Sequence, residues 1–347
     1  MGASFDKHHG PGQEGSRMID DSASGALTVG VVQRPPVFLN LAATIELAHQ
    51  LIADAAANGA RLLVFPETWL PGYPVWLDYA PGTALWGNSA GEALFAHLFA
   101  NSPTLDGPEF AELRKLSADH GVDLMMGAHE RSGNSLYNVM VMIGADGLFG
   151  VHRKLTPTFS ERLIWGQGDG STLSAWDRPY GRVGGLICWE HWMPLARAAM
   201  HAQHELIHVA QWPAVGEKHL LASRNYAFEG QCFVIAGGSV ATRDDVIEGY
   251  LSAGGGKDGL ALLETIPLDP ALLKDGGSCI IAPDASILAQ SPAGNRETLY
   301  CALPLELAHR GKLYLDSDGH YARPDVFELK VNRRANRSVS FSGEGDQ

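Results

Sequence analysis

Cys188 closes an apolar run, Val183-Gly184-Gly185-Leu186-Ile187, a few residues ahead of Pro194. The run is β-branched in part and thinned by two glycines, so it reads as a buried strand. Pro194 suits the first turn of a helix, and Leu195 to Met200 continue it with good helix formers. A thiol at such a strand-to-helix turn lies beside backbone N–H groups that no helix bond satisfies. That setting can lower a thiol pKa and can cradle an oxyanion. Most free cysteines are merely small buried hydrophobes. Trp189, Glu190, His191 and Trp192 crowd this one with polar and aromatic groups, which marks it as a candidate nucleophile.

Glu67 is the second candidate. It ends the strand Arg61 to Phe65, and open α/β sheets place ligands at the carboxyl ends of their strands. A lone glutamate there is usually a solvated loop carboxylate, but the flanking loop, Thr68 to Trp76, holds Trp69, Tyr73 and Trp76. So aromatic a loop is poorly suited to water and better suited to walling a pocket. Lys154 follows the strand Leu148 to Arg153, where a lysine is normally an exposed solubilising charge. After it comes a long loop, Leu155 to Gly170, carrying Glu161 and Trp165; long loops in compact domains are usually functional. A competing signal is His204-Glu205-Leu206-Ile207-His208, an H-E-x-x-H pattern that would bind zinc if both histidines shared one helical face. No third ligand follows at the usual spacing, and Glu205 to Ala210 also suits a strand.

These residues sit in a chain of 347 residues with 45% hydrophobic and 19% charged residues, ordinary for a soluble globular enzyme. The net charge of −13 argues against nucleic acid and against an anionic membrane surface. No apolar run reaches the roughly 18 residues of a spanning helix. Four scattered cysteines form no disulfide or zinc pattern, so a reducing cytoplasm is the default expectation. Residues 1–25, rich in Gly, Ser, Asp and His, read as a disordered leader, and residues 333–347 as a disordered tail.

Between them one domain, residues 26–332, is the simplest account. Ala26 to Gln33, a helix capped by Asn40 and stopped near Gly59, and Arg61 to Phe65 form a strand–helix–strand unit, the mark of α/β architecture. Helices are expected over Ala84 to Ala100 and over Pro108 to His120, the second closed by Gly121. Val122 to Ala128, Leu136 to Ile143 and Leu148 to Arg153 read as strands, the last two joined around Gly144-Ala145-Asp146-Gly147. Past Cys188, a helix from Glu217 to Glu229 separates strands Glu205 to Ala210 and Cys232 to Ala236. A hairpin over Ser278 to Gln290 and a strand, Leu299 to Leu303, come last.

Taken together, F-P-E-T-W-L-P-G-Y-P around Glu67, H-R-K-L-T-P-T-F-S-E-R around Lys154 and Glu161, C-W-E-H-W-M-P-L around Cys188, and the late G-H-Y-A-R-P-D-V-F resemble the nitrilase branch of the carbon–nitrogen hydrolase superfamily. The motifs span nearly the whole chain in the family's order. The resemblance implies a four-layer αββα sandwich and a Glu67–Lys154–Cys188 centre assisted by Glu161, with no metal or organic cofactor. It implies hydrolysis of a small-molecule nitrile to acid and ammonia through a cysteine thioimidate. An amidase or a cyanide-hydrolysing enzyme of the same superfamily is the neighbouring alternative. Tyr73, Trp165, Trp189, His191 and Trp212 are the candidates for substrate contact, each equally open to being plain core. Trp189, next to the nucleophile, is expected beside the substrate's α-carbon, favouring unbranched aliphatic nitriles and dinitriles or flat aromatic ones. The resemblance also implies homodimers that build spiral homo-oligomers, with residues 78–106 and 241–263 as expected contact surfaces.

Overall fold

In the computed structural model, residues 26–337 and residue 339 are described; the expected leader, residues 1–25, lies outside them. The first half of the chain forms strands β1 (Leu27–Val31), β2 (Leu62–Val64), β3 (Asp123–Ser132), β4 (Ser135–Ile143) and β5 (Phe149–Arg153). Helices α1 (Leu41–Ala57), α2 (Trp76–Tyr79), α3 (Ser89–Ala100) and α4 (Pro108–His120) run among them. The second half adds β6 (Trp176–Arg178), β7 (Gly181–Ile187), β8 (Ile207–Gln211) and β9 (Phe233–Gly237), with α5 (Pro194–His201) and α6 (Glu217–Gly230) between β7 and β9. Then follow β10 (Val240–Ala241), α7 (Arg243–Ser252), α8 (Lys257–Leu263), β11 (Lys274–Asp275), β12 (Cys279–Ile281), β13 (Ile287–Gln290), β14 (Leu299–Leu303) and α9 (Glu306–Gly311).

Local chemistry sets the helix ends. The Asn40 side chain accepts the Ala43 N–H at 3.0 Å, and α4 closes at Gly121 with φ 66°, as an N-cap and a glycine stop require. The helix expected from residue 84 begins later, at Ser89, because Asn88 Oδ1 accepts the Ala90 and Gly91 N–H groups.

Two six-stranded sheets result, ordered β14-β1-β2-β3-β4-β5 and β13-β12-β9-β8-β7-β6. Each has a parallel centre, β1-β2-β3 and β7-β8-β9, with antiparallel strands outside it. Period-two alternation explains how they stack. Val29, Val31, Leu62, Val64, Met125, Met140 and Met142 face Val183, Ile187, Val209, Ile235 and Ile280 of the other sheet in one buried cluster. The alternate residues Leu63, Leu124, Met126, Val139 and Val141 face outward onto Ile45, Leu51, Ile52, Phe110 and Leu113 of α1 and α4. On the opposite side, Ala196, Ala199 and Met200 of α5 and Ala222 and Tyr226 of α6 cover the second sheet. The order is helix, sheet, sheet, helix. Arg178 of β6 crosses between the sheets, donating to both carboxylate oxygens of Asp123 on β3 at 2.8 Å.

Residues 78–106 and 241–263 pack largely on each other: Leu94 and Leu98 of α3 meet Val246 and Tyr250 of α7 and Leu262 and Leu263 of α8. That cluster also holds Tyr73, Trp76 and Trp165, so it buttresses the loop after β2, while Leu85, Trp86 and Phe95 stay exposed. At the tail, Arg333 donates to Ser174 Oγ at 2.7 Å and the Asn336 N–H to Asp169 at 2.6 Å, so contact with the body continues past residue 332. Among the described residues no helix is long and apolar enough to cross a membrane.

Candidate active site

Four polar side chains converge where strands end. Glu67 follows β2, Lys154 follows β5, and Cys188 follows β7. Glu161 comes from a short 3-10 turn, Phe159–Leu163, within the long loop. Its carboxylate is fixed locally, since Oε2 accepts the Thr158 N–H at 2.6 Å. The Glu67 segment crosses close over β3 because residue 127 has no side chain: a Cβ there would lie 1.9 Å from the Pro66 carbonyl oxygen.

Lys154 Nζ is the hub. It donates to Glu67 Oε1 at 2.8 Å and to Glu161 Oε2 at 2.6 Å, and all three side chains are buried. Asn138 Nδ2 donates to the same Glu67 oxygen at 2.7 Å, and the Tyr73 hydroxyl donates to Glu161 Oε1 at 3.0 Å. Glu67 Oε2 makes no hydrogen bond to the described residues. Cys188 Sγ and carboxylate oxygens of Glu67 and Glu161 lie within 4.8 Å of one another, with the thiol residue only 3% exposed. Three such donors could suggest a cation site, but the Lys154 ammonium already bonds both carboxylates.

Burial governs the protonation states. It pushes Glu67 up to about 7, with the Lys154 charge opposing it and the Glu161 charge adding to it. It pushes the Cys188 thiol well above its usual range, helped by the Glu67 carboxylate and opposed by Lys154, so the thiol is neutral at rest. Burial alone would lower Lys154, yet its anionic surroundings outweigh it and hold the ammonium protonated. With the thiol neutral, the charges that do so are the two glutamates. The site therefore holds a poised base, a fixed cation and an undissociated nucleophile.

The elbow itself is a 3-10 turn, Cys188–Trp192, with Cys188 in the left-handed region at φ 55°. Glu190 ties this turn to its surroundings. It accepts the Ile187 N–H at 2.6 Å and the Leu155 N–H at 2.7 Å, and pairs with His152 Nε2 at 3.0 Å. One carboxylate thus locks the strand end bearing Cys188 to the strand end bearing Lys154.

The other expected contacts divide. Tyr73 and Trp165 stand edge to face with ring centroids 6.0 Å apart, and Lys154 Nζ lies 5.7 Å from the Trp165 ring. Trp189 is 43% exposed and lines a cavity of about 310 Å³ with Thr156 to Phe159, Arg162 and Met193. Trp212 is fully buried, in tilted ring contact with His191 and His219, and its carbonyl accepts the Glu67 N–H at 3.3 Å. His191 has no ring nitrogen left for a ligand: Nδ1 meets the Cys188 carbonyl at 2.7 Å and Nε2 meets His208 at 3.0 Å. A residue one 3-10 turn beyond the nucleophile folds back onto its carbonyl.

The zinc pattern is not realised. α5 ends at His201, His204 sits at φ 58° with its side chain 68% exposed, and His208 is buried on β8, so the two histidines share no helical face. Asn138 and His129 carry no motif in the sequence. Asn138 interrupts an otherwise apolar strand, and a polar residue in that position is the signal that could have exposed it. Burial holds His129 down at about 4, so it is neutral; it accepts the Trp165 indole N–H on Nδ1 at 2.9 Å and donates from Nε2 to the Gly72 carbonyl at 3.0 Å.

Comparison with known proteins gives this geometry its class. Residues 28–312 match the family model described as carbon–nitrogen hydrolase, and the chain belongs to that family. Within it, the chain is 35% identical over 336 residues to an aliphatic nitrilase of Rhodococcus rhodochrous, covering 90% of this chain and 84% of that one. It is also 35% identical over 334 residues to an arylacetonitrilase of Aspergillus kawachii, covering 91% and 95%. Among solved structures, Nit3 of Saccharomyces cerevisiae, a member of the nitrilase superfamily, superposes with a TM-score of 0.63 at 18% identity, covering 86% of this chain and 97% of that one. At that identity the superposition speaks for the αββα fold alone.

Proposed function

We propose that the protein is a nitrilase, converting a nitrile and two waters to a carboxylic acid and ammonia, with Cys188 as the nucleophile. The observation that carries this is the buried Glu67–Lys154–Glu161 cluster around a neutral thiol, in a chain similar over about nine-tenths of its length to named nitrilases. A nitrile carbon is a weak electrophile, so attack calls for a strong nucleophile. Glu67 takes the thiol proton as sulfur bonds to carbon, and its pKa near 7 suits a base working at neutral pH. The proton passes to the former nitrile nitrogen, giving a thioimidate, while Lys154 stabilises the charge developing there. Water activated by Glu67 adds to the carbon; the proton that Glu67 returns and the hydroxyl proton of the tetrahedral intermediate both pass to nitrogen, and ammonia leaves as the thioester carbonyl forms. A second water cleaves the thioester to release acid and thiol. Glu161 orients Lys154 and water, and Tyr73 in turn holds Glu161.

Tyr73 and Trp165, close to the reacting groups, favour unbranched aliphatic or flat aromatic nitriles. Trp189 follows the nucleophile but lines a cavity whose wall includes none of Glu67, Lys154, Glu161 or Cys188, so its share in that preference is read from the Trp189→Ala variant. Exposed Leu85, Trp86 and Phe95 support self-association, to be read as a mass above that of one chain in light scattering. Ammonia release from a panel of nitriles, with the matching amides and cyanide as controls, tests the reading. Turnover of amides or cyanide with none of the nitriles would replace it.

A further inference from the structure

The inward-facing part of the H-E-x-x-H stretch belongs to a buried chain that none of these steps uses. Tyr226 donates its hydroxyl to Glu205 Oε2. Glu205 meets His208 Nδ1 at 3.0 Å, His208 Nε2 meets His191 Nε2 at 3.0 Å, and His191 Nδ1 meets the Cys188 carbonyl at 2.7 Å. All four side chains are buried, and β7 makes room for them: a Cβ on Gly184 would lie 1.8 Å from Glu205 Oε1. Burying such groups is costly unless each finds a partner, so a chain this complete implies a use.

Counting hydrogens along it fixes every tautomer. A carbonyl only accepts, so His191 carries its hydrogen on Nδ1 and its Nε2 is an acceptor. His208 must then donate from Nε2. Its Nδ1 faces Glu205, and that contact closes only if one proton lies between them. Without it, either Glu205 and His208 Nδ1 present two lone pairs to each other, or His208 flips tautomer and the clash moves to His191. If His191 flips as well, the carbonyl of Cys188 loses its donor. The loss of one proton two side chains away thus propagates to the backbone of the nucleophile.

We propose that the chain Tyr226–Glu205–His208–His191 is a positioning device for the nitrile hydrolysis proposed above, holding Cys188 in its left-handed conformation only while a proton is shared between Glu205 and His208. Burial pushes Glu205 up to about 7 and holds His191 down at about 3, which agrees with a neutral chain ending in a protonated acid. The titratable groups facing the pair are His201 on α5, Tyr226 on α6, Cys232 ahead of β9, and the Glu190–His152 pair. Tyr226 and Cys232 are kept neutral by burial. Because the working form is the protonated one, kcat falls on the alkaline side as the proton leaves.

The test is the pH dependence of kcat and KM for wild type, Glu205→Gln and His208→Phe. An amide at position 205 donates to His208 and accepts from Tyr226 with no proton to lose. Glu205→Gln therefore moves the alkaline fall in kcat upward by at least about one pH unit, while His208→Phe lowers kcat about 10-fold or more with KM within about 3-fold. Superimposable alkaline limbs in wild type and Glu205→Gln overturn the proposal, as does wild-type kcat in His208→Phe. Should His208→Phe fail to fold, the Glu205→Gln profile decides alone. If wild type releases no ammonia from any nitrile, it is the functional reading that has failed. The pH profile of Cys188 alkylation by iodoacetamide, read by intact mass, then tests the chain by itself: wild type and Glu205→Gln diverge above neutrality if it positions the elbow and coincide if it does not.

Discussion

Asn138→Leu separates the tuning of the base from the integrity of the site. Asn138 Nδ2 donates to Glu67 Oε1 at 2.7 Å, and this bond is one of the forces holding Glu67 as low as about 7 against the pull of burial. A hydrogen bond to a charged acceptor contributes about 1.5–3 kcal/mol, and each pKa unit corresponds to about 1.4 kcal/mol, so its removal should raise Glu67 by about 1–2 units. Leucine matches asparagine in branching and in its number of side-chain heavy atoms, and the Asn138 carbonyl oxygen has no hydrogen-bond partner among the described residues, so little besides this bond is lost. At pH 7 about half of Glu67 is ionised in wild type, whereas about 1–9% would be in the variant. Activity at pH 7 should fall about 5- to 50-fold, and the variant-to-wild-type ratio at the same pH should return toward one as pH rises through the new pKa. The assay is the pH profile of kcat/KM, whose acid limb reports the essential base of the free enzyme. An acid limb unmoved by the substitution, or a uniform loss at every pH, would refute Glu67 as the base tuned by Asn138.

Four further outcomes are expected. Cys188→Ala folds normally and loses turnover, whereas Cys232→Ala, Cys279→Ala and Cys301→Ala keep most of it; intact-mass detection of a substrate adduct on another cysteine contradicts this. Glu161→Gln removes one of the two anions on Lys154 and depresses the hydrolysis steps most, so a stalled covalent intermediate accumulates; wild-type rates would remove Glu161 from the site. Asp123→Ala leaves Arg178 with the more exposed Asp146 alone and strips the acceptor from the Tyr180 hydroxyl and the Ala145 N–H, lowering stability by about 1–3 kcal/mol in urea unfolding, and an unchanged midpoint would show the pair to be idle. Trp189→Ala shifts the rate ratio toward nitriles with a bulky α-substituent, by about 10-fold if overpacking of about 1–3 kcal/mol is relieved; equal losses on both substrate types make Trp189 structural.

Much of the frame was legible in the sequence because it is written in short-range patterns. The cap at Asn40, the stop at Gly121, the Pro194 helix start and the hairpin at residues 144–147 each depend on a few neighbouring residues. The strand ends bearing Glu67, Lys154 and Cys188 were readable for the same reason, since apolar runs stop where the ligand face begins. Helix α3 is shorter than the pattern from Ala84 suggests because a polar cap inside it, Asn88, outweighs the weak periodicity before it.

What the sequence alone determined, then, is the set of chemically able residues and the elements that end in them. Which of those residues meet is a property of the two sheets packed face to face. Asn138 reaches Glu67 across 71 positions of sequence, and Tyr73 reaches Glu161 across 88. No local periodicity encodes such distances. The H-E-x-x-H stretch shows the same division most sharply. Its letters suggest a helix and a metal, yet the pairing of β8 between β7 and β9 turns His208 inward as a strand residue and leaves His204 outside. Propensity allows either form, and only burial between a sheet and its covering helices selects the strand.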